Sequence, residues 1–186
     1  MENDYKQTLN NFTKKLVTEP WLKNFEKSGM GWLKILSGSM APLIQTGDQI
    51  LVKKITHSHI HLGDIITFWQ GNILVTHRVI RKLTISGEVY FVEKGDGNAN
   101  YSSIHAQGII GKVIKIKKSK REIDIDTHIW HVFNKIIGIA LFTAYILRVI
   151  GRKTPFVPEW FKNIIRQAFG ISTRLKDKIL KTITNS

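Results

Sequence analysis

Residues 36–42 read Leu-Ser-Gly-Ser-Met-Ala-Pro, and Gly47-Asp48 follows closely. Two hydroxyl side chains flank a glycine, and a Met-x-Pro closes the turn. Glycine lets the backbone approach a ligand, while Pro42 fixes the local dihedral and removes one donor. Such a turn can hold Ser39 at the end of a strand with its hydroxyl exposed. Two further segments carry groups that could act on a hydroxyl: Thr76-His77-Arg78 inside an apolar run, and the loop Gly95-Asp96-Gly97-Asn98 directly after another. Hydroxyl, imidazole and carboxylate are the types that activated-nucleophile chemistry combines. Each also has an ordinary structural reading: a Ser/Gly turn, a structural or surface histidine, a tight Asn/Asp/Gly loop.

The elements that must position these groups read as β from about residue 31 to 121. Strand candidates are 32–36, 49–54, 64–69, 73–80, 82–85, 89–93 and 109–117, rich in Ile, Val, Thr and aromatics. Gln70-Gly71-Asn72 and Ser86-Gly87 have hairpin-turn chemistry, because glycine accepts positive φ. Short strands at this spacing predict a mainly β fold, a small antiparallel barrel or packed sheets, with helical extensions at both ends. The expected division is a helical extension over 1–30, a β domain over 31–121 and a helical region over 122–186. His57, His59 and His61 would share one face of a strand. No Cys or carboxylate pair stands at ligand-like spacing beside them, so a solvated face is the reading and no metal is assigned.

Apolar residues at 9, 12, 16, 21, 22 and 25 fit an amphipathic helix broken near Pro20, with no signal-peptide core. Residues 129–150 form the most apolar segment. Its uncharged centre, 136–147, is shorter than the roughly 20 residues a membrane span needs. A buried or membrane-surface helix is the expectation there. After Pro158, apolar residues recur every three to four positions between Lys and Arg, the pattern of a basic amphipathic helix.

The chain has 186 residues, no cysteine and a net charge of +14. Disulfides and thiolate zinc sites are excluded, and an anionic partner or surface is implied. From Arg148 onward nine Lys and Arg face only Glu159 and Asp177, which concentrates half of the surplus there. Nucleic acid is not the expected partner, since no helix-turn-helix signal is present and 30 N-terminal residues are short for a reader domain.

The order Ser-Gly-Ser-Met-x-Pro, Gly-Asp, Gly63-Asp64, His-Arg and Gly-Asp-Gly-Asn resembles the signal peptidase I superfamily (S24/S26-like peptidases). It is most similar to the branch of the endoplasmic reticulum and archaea, whose base is histidine. The resemblance covers roughly residues 33–116. It implies a serine endopeptidase that processes a leader or signal peptide and uses no cofactor. Ser39 would be the nucleophile and His77 the general base. Ser37 would help form the oxyanion hole with the Ser39 N–H. In that branch an aspartate beyond the Gly-Asp-x-Asn box orients the histidine, but here the place holds Tyr101-Ser102. Asp96 is the expected substitute if its loop folds back. The departure leaves open an impaired, peptide-binding member, and a self-cleaving regulator is a further alternative. The basic tail and the 129–150 segment suggest association with an anionic membrane. The charge cluster Lys117–Arg121 favours a cytoplasmic catalytic domain.

Overall fold

The computed structural model describes residues 20–119, 121–153 and 174. The expected helix over 9–19 and the basic amphipathic stretch beyond Pro158 lie outside the described residues, Arg174 apart. Residues 20–28 form helix α1. The strands are β1 (Met30–Lys34), β2 (Gln49–Lys53), β3 (Ile65–Gln70), β4 (Ile73–Ile85), β5 (Glu88–Lys94), β6 (Ser102–His105), β7 (Ile109–Lys117) and β8 (Glu122–Asp124). Helix α2 (His128–Lys153) follows.

Every pairing is antiparallel, in the order β1-β2-β7-β3-β4-β5-β6, and β8 pairs with β7. The sheet curls into a half-barrel, so the expected mainly β class with helices is the one observed. Two hairpins set the register around the site. β3 and β4 join through Gly71-Asn72, with Gln70 opposite Ile73 and Gly71 at φ 57°. β4 and β5 join through Ser86 (φ 51°) and Gly87 (φ 85°), the paired positive dihedrals of a type I′ turn.

Three expectations need correction. The runs 73–80 and 82–85 are one strand with a register shift between Val79 and Arg81, where a bulge admits an extra residue. β6 and β8 are short strands that the pattern did not reveal. His57–His59 is a 3₁₀ turn, so the three histidines do not line one strand face, although all three are exposed as the solvated reading expects. Among the described residues no cluster of His, Asp or Glu has the arrangement of a metal site.

Side chains alternate across the strands, and here both sheet faces are covered. Ile65, Ile80 and Val92 enter a core with Phe25 of α1, Met40, Leu43 and Ile44, and with Ile137 and Leu141 of α2. Their neighbours Ile66, Val79 and Phe91 enter a second core with Ile60, Phe68 and Ala106. Burial on both faces explains why β3 reads as a continuous apolar run. Helix α2 contributes Asn134, Ile137, Leu141 and Ala144, one stripe at helical spacing, to the buried interior.

Candidate active site

The turn after β1 is anchored from both ends. Ile35 N–H donates to the Asp48 carbonyl at 2.8 Å, and Gly47 N–H donates to the Ile35 carbonyl at 2.9 Å. Gly47 has φ 96°, a conformation that favours glycine. The Asp48 carboxylate accepts from Gln45 N–H and from Lys118 Nζ, both at 2.8 Å. Between these anchors Ala41 N–H closes onto the Gly38 carbonyl at 3.0 Å. Met40, Leu43 and Ile44 are buried, while Ser39 is half-buried and Ser37 exposed. The buried residues after Ser39 hold the turn on the core and leave the serine at its rim.

His77 and Arg78 are consecutive on β4, so their side chains leave opposite faces of the sheet. His77 is largely buried, with its ring 6.1 Å from that of Phe68. Its Nδ1 lies 2.5 Å from Oε2 of Glu93, whose side chain is 3% exposed. Glu93 sits opposite Val79, on the same face as His77 and within diagonal reach. A carboxylate at Nδ1 fixes the tautomer with the proton there, which leaves the Nε2 lone pair free.

The orienting role anticipated for Asp96 meets a different geometry. The Asp96 carboxylate accepts a forked pair from Arg78, from Nε at 2.9 Å and from Nη2 at 2.8 Å. Arg78 Nη1 donates to the Gly63 carbonyl at 2.8 Å and to Asn134 Oδ1 at 2.7 Å. Burying a guanidinium demands such partners, and a bidentate carboxylate matches its fork. Asp96 therefore serves the arginine, and Glu93 meets the histidine. Glu93 was missed because it ends an apolar strand run, Val-Tyr-Phe-Val-Glu, outside any motif. A lone acid on the face that carries a histidine two residues along the neighbouring strand was the available signal.

The loop from Gly95 to Asn98 lies against both the Ser39 main chain and the His77 ring. Gly97 N–H donates to the Ser39 carbonyl at 2.8 Å, and Asn98 N–H donates to the Gly95 carbonyl at 3.1 Å. Lys94 Nζ donates to the carbonyls of Gly95 and Asn98, pinning the loop from beneath. A Cβ on Gly95 would stand 2.5 Å from the Ser39 carbonyl oxygen and 3.0 Å from His77 Nε2. The Ser39 main chain and the basic nitrogen of His77 thus flank one glycine. Gly95→Ala is expected to spread them and lower any activity by about 10²-fold while circular dichroism stays native. An unchanged rate in that variant would contradict the close approach.

Where the family resemblance placed an aspartate, Tyr101 packs against Tyr145 of α2, ring centroids 5.1 Å apart. Arg148 lies over the Tyr101 ring at 5.9 Å. Burial raises the Tyr101 phenol above its usual pKa, against the lowering influence of Arg148.

Residues 6–114, more than half of the chain, match the family described as Peptidase S24-like. The chain belongs to that family. As a Peptidase S24-like chain it is similar to signal peptidase I W of Bacillus subtilis (strain 168), 46% identical over 67 residues. That match covers 35% of each chain. It is also similar to the signal peptidase complex catalytic subunit SEC11 of Chaetomium globosum, 32% identical over 92 residues. Here the match covers 43% of this chain and 54% of the relative. The chain therefore spans between about a third and about half the length of these curated relatives.

Proposed function

We propose that this chain is a peptidase acting on peptide or protein substrates, a serine endopeptidase in which Ser39 attacks the scissile carbonyl and His77 is the general base. The observation that carries the reading is the convergence of the Ser39 turn and His77 Nε2 on Gly95, with Glu93 at Nδ1. In the acylation step Nε2 takes the Ser39 proton as the oxygen bonds to the carbonyl carbon. Glu93 holds the ring and stabilises the imidazolium that results. The imidazolium then gives its proton to the leaving amine, and water repeats the cycle on the acyl-enzyme. The Ser39 N–H and the Ser37 hydroxyl are the proposed oxyanion donors, each worth roughly 10²–10³ in rate. No step requires a cofactor. The impaired alternative drew its support from the missing aspartate, and Glu93 supplies a carboxylate at that nitrogen.

The names of the relatives make a leader or signal peptide the favoured substrate class. The test is incubation of the full chain with a synthetic precursor peptide cut after a small residue. One cleavage product pair is expected, with the rate falling on acidification because an imidazolium cannot accept the Ser39 proton. Absence of cleavage across a panel of such precursors would weigh against this substrate class.

The β domain is proposed to lie on the cytoplasmic face of an anionic membrane. Helix α2 includes one segment, His128–Ile146, that is long and apolar enough to cross a bilayer. One face of it is buried on the domain, however, while Ile129, Val132, Ile136 and Ile139 are exposed on the outer face. That arrangement favours lying on the surface over spanning, and basic residues each add about 1 kcal/mol near an anionic leaflet. Sedimentation with anionic vesicles, released by high salt, is the expected behaviour. Protease protection of the β domain in intact cells would place it on the other side.

A further inference from the structure

Helix α2 reaches the site at two points, across 56 and 49 residues of sequence. The first is Asn134, 3% exposed, whose Oδ1 accepts from Arg78 Nη1. The same guanidinium grips Asp96 in the loop that carries Ser39's hydrogen-bond partner Gly97. The second is Arg148, whose Nη1 donates to the Ala99 carbonyl at 2.6 Å while its guanidinium covers Tyr101. Both ends of the segment 96–101 are therefore tied to one helix.

Close approach of the helix depends on two glycines. A Cβ on Gly138 would lie 2.8 Å from Gly63 N and Cα, and one on Gly63 would collide with the Asn134 carbonyl. Glycine inside a helix lowers its intrinsic stability, so its presence at the contact marks a packing requirement. The Gly63 carbonyl shares Arg78 Nη1 with Asn134. The turn, the helix and the arginine thus form one buried junction behind His77.

On the Ser39–His77 reading, we infer that α2 is a brace of the catalytic loop, with Asn134 and Arg148 as positioning residues for the Ser39–His77 pair. Neither touches the reacting atoms. Asn134 fixes the rotamer of Arg78 and through it Asp96, and Arg148 fixes the far end of the same loop. Their loss is expected to change how often Ser39 and His77 are aligned, while leaving peptide binding in place.

The experiment uses the full chain and five variants: Asn134→Leu, Arg148→Ala, Arg148→Lys, the outer-face control Lys135→Ala, and Ser39→Ala. Asn134→Leu and Arg148→Ala are each expected to lower kcat by about 10- to 100-fold, with KM within about twofold. The rate at which a small fluorophosphonate labels Ser39 should fall in parallel. Arg148→Lys, which keeps a donor and a cation, should recover most of kcat, and Lys135→Ala should match wild type. Arg148 is exposed, so Arg148→Ala reads the brace even if Asn134→Leu fails to fold. Unchanged kcat and labelling in a folded Arg148→Ala, with Ser39→Ala inactive, would overturn the brace alone. Full activity in Ser39→Ala would overturn the serine reading and the brace with it.

Discussion

Ser39→Ala and His77→Ala are each expected to reduce peptide cleavage to background, a loss of at least roughly 10⁴-fold. The two losses should not add in the double variant, because nucleophile and base act as one unit. Neither change should unfold the domain. Ser39 is half-buried at the rim of the core, and its turn is held by Met40, Leu43 and Ile44. Glu93→Gln separates orientation from packing. The amide keeps the shape of the side chain but cannot stabilise an imidazolium, and it can bond the wrong tautomer. A fall of about 10²–10⁴-fold in kcat is expected, with KM little changed. Asp96→Asn, whose carboxylate faces Arg78, should act mainly through stability. Steady-state kinetics on purified variants, with circular dichroism alongside, is the measurement that checks this set. A larger catalytic loss in Asp96→Asn than in Glu93→Gln would return the orienting role to Asp96.

Arg78→Leu is expected to be the most destabilising single change near the site, by about 3–5 kcal/mol. The side chains of Arg78 and Asp96 are both fully buried. Leucine would leave the Asp96 carboxylate in the interior without its guanidinium, and the Gly63 carbonyl and Asn134 Oδ1 without that donor. A loss of this size is a large fraction of the roughly 5–15 kcal/mol that holds a typical domain. Arg78→Lys keeps the charge but cannot fork onto a carboxylate while also donating to Gly63 and Asn134, so it should recover only part. Urea unfolding midpoints at constant m-value would report the difference. An unfolding free energy within about 0.5 kcal/mol of wild type for Arg78→Leu would show that the junction contributes little.

The features legible in the sequence were those set by local rules. Gly71-Asn72 and Ser86-Gly87 read as hairpin turns because only a few residue types accept positive φ, and both close hairpins. Strand β7 read at its full length, 109–117, because Ile and Val recur along all of it, and its middle is buried. The turn around Ser39 and the His77 strand stood out by residue type. What was not legible depends on partners distant in sequence. Glu93 belongs to the site only because β5 pairs with β4 in a register that puts it beside His77. Asp96 looked available to the histidine until Arg78 took its carboxylate, a choice made by which face of β4 each residue leaves. Asn134 sat in an apolar segment whose period indicated a helix but not what its one buried amide would meet. The 57–61 histidines are exposed, as a solvated face requires, but alternation alone did not make a strand of them, because no neighbouring strand pairs with the segment.

If His77, oriented by Glu93, activates Ser39, the site and rate of acylation will report it. Treatment of the full chain with a fluorophosphonate, followed by digestion and mass spectrometry, should find the adduct on Ser39. Labelling should slow as pH is lowered, be nearly lost in His77→Ala and be strongly reduced in Glu93→Gln. An adduct on another residue would exclude Ser39 as the nucleophile, and labelling of Ser39 at the wild-type rate in His77→Ala would exclude His77 as its base.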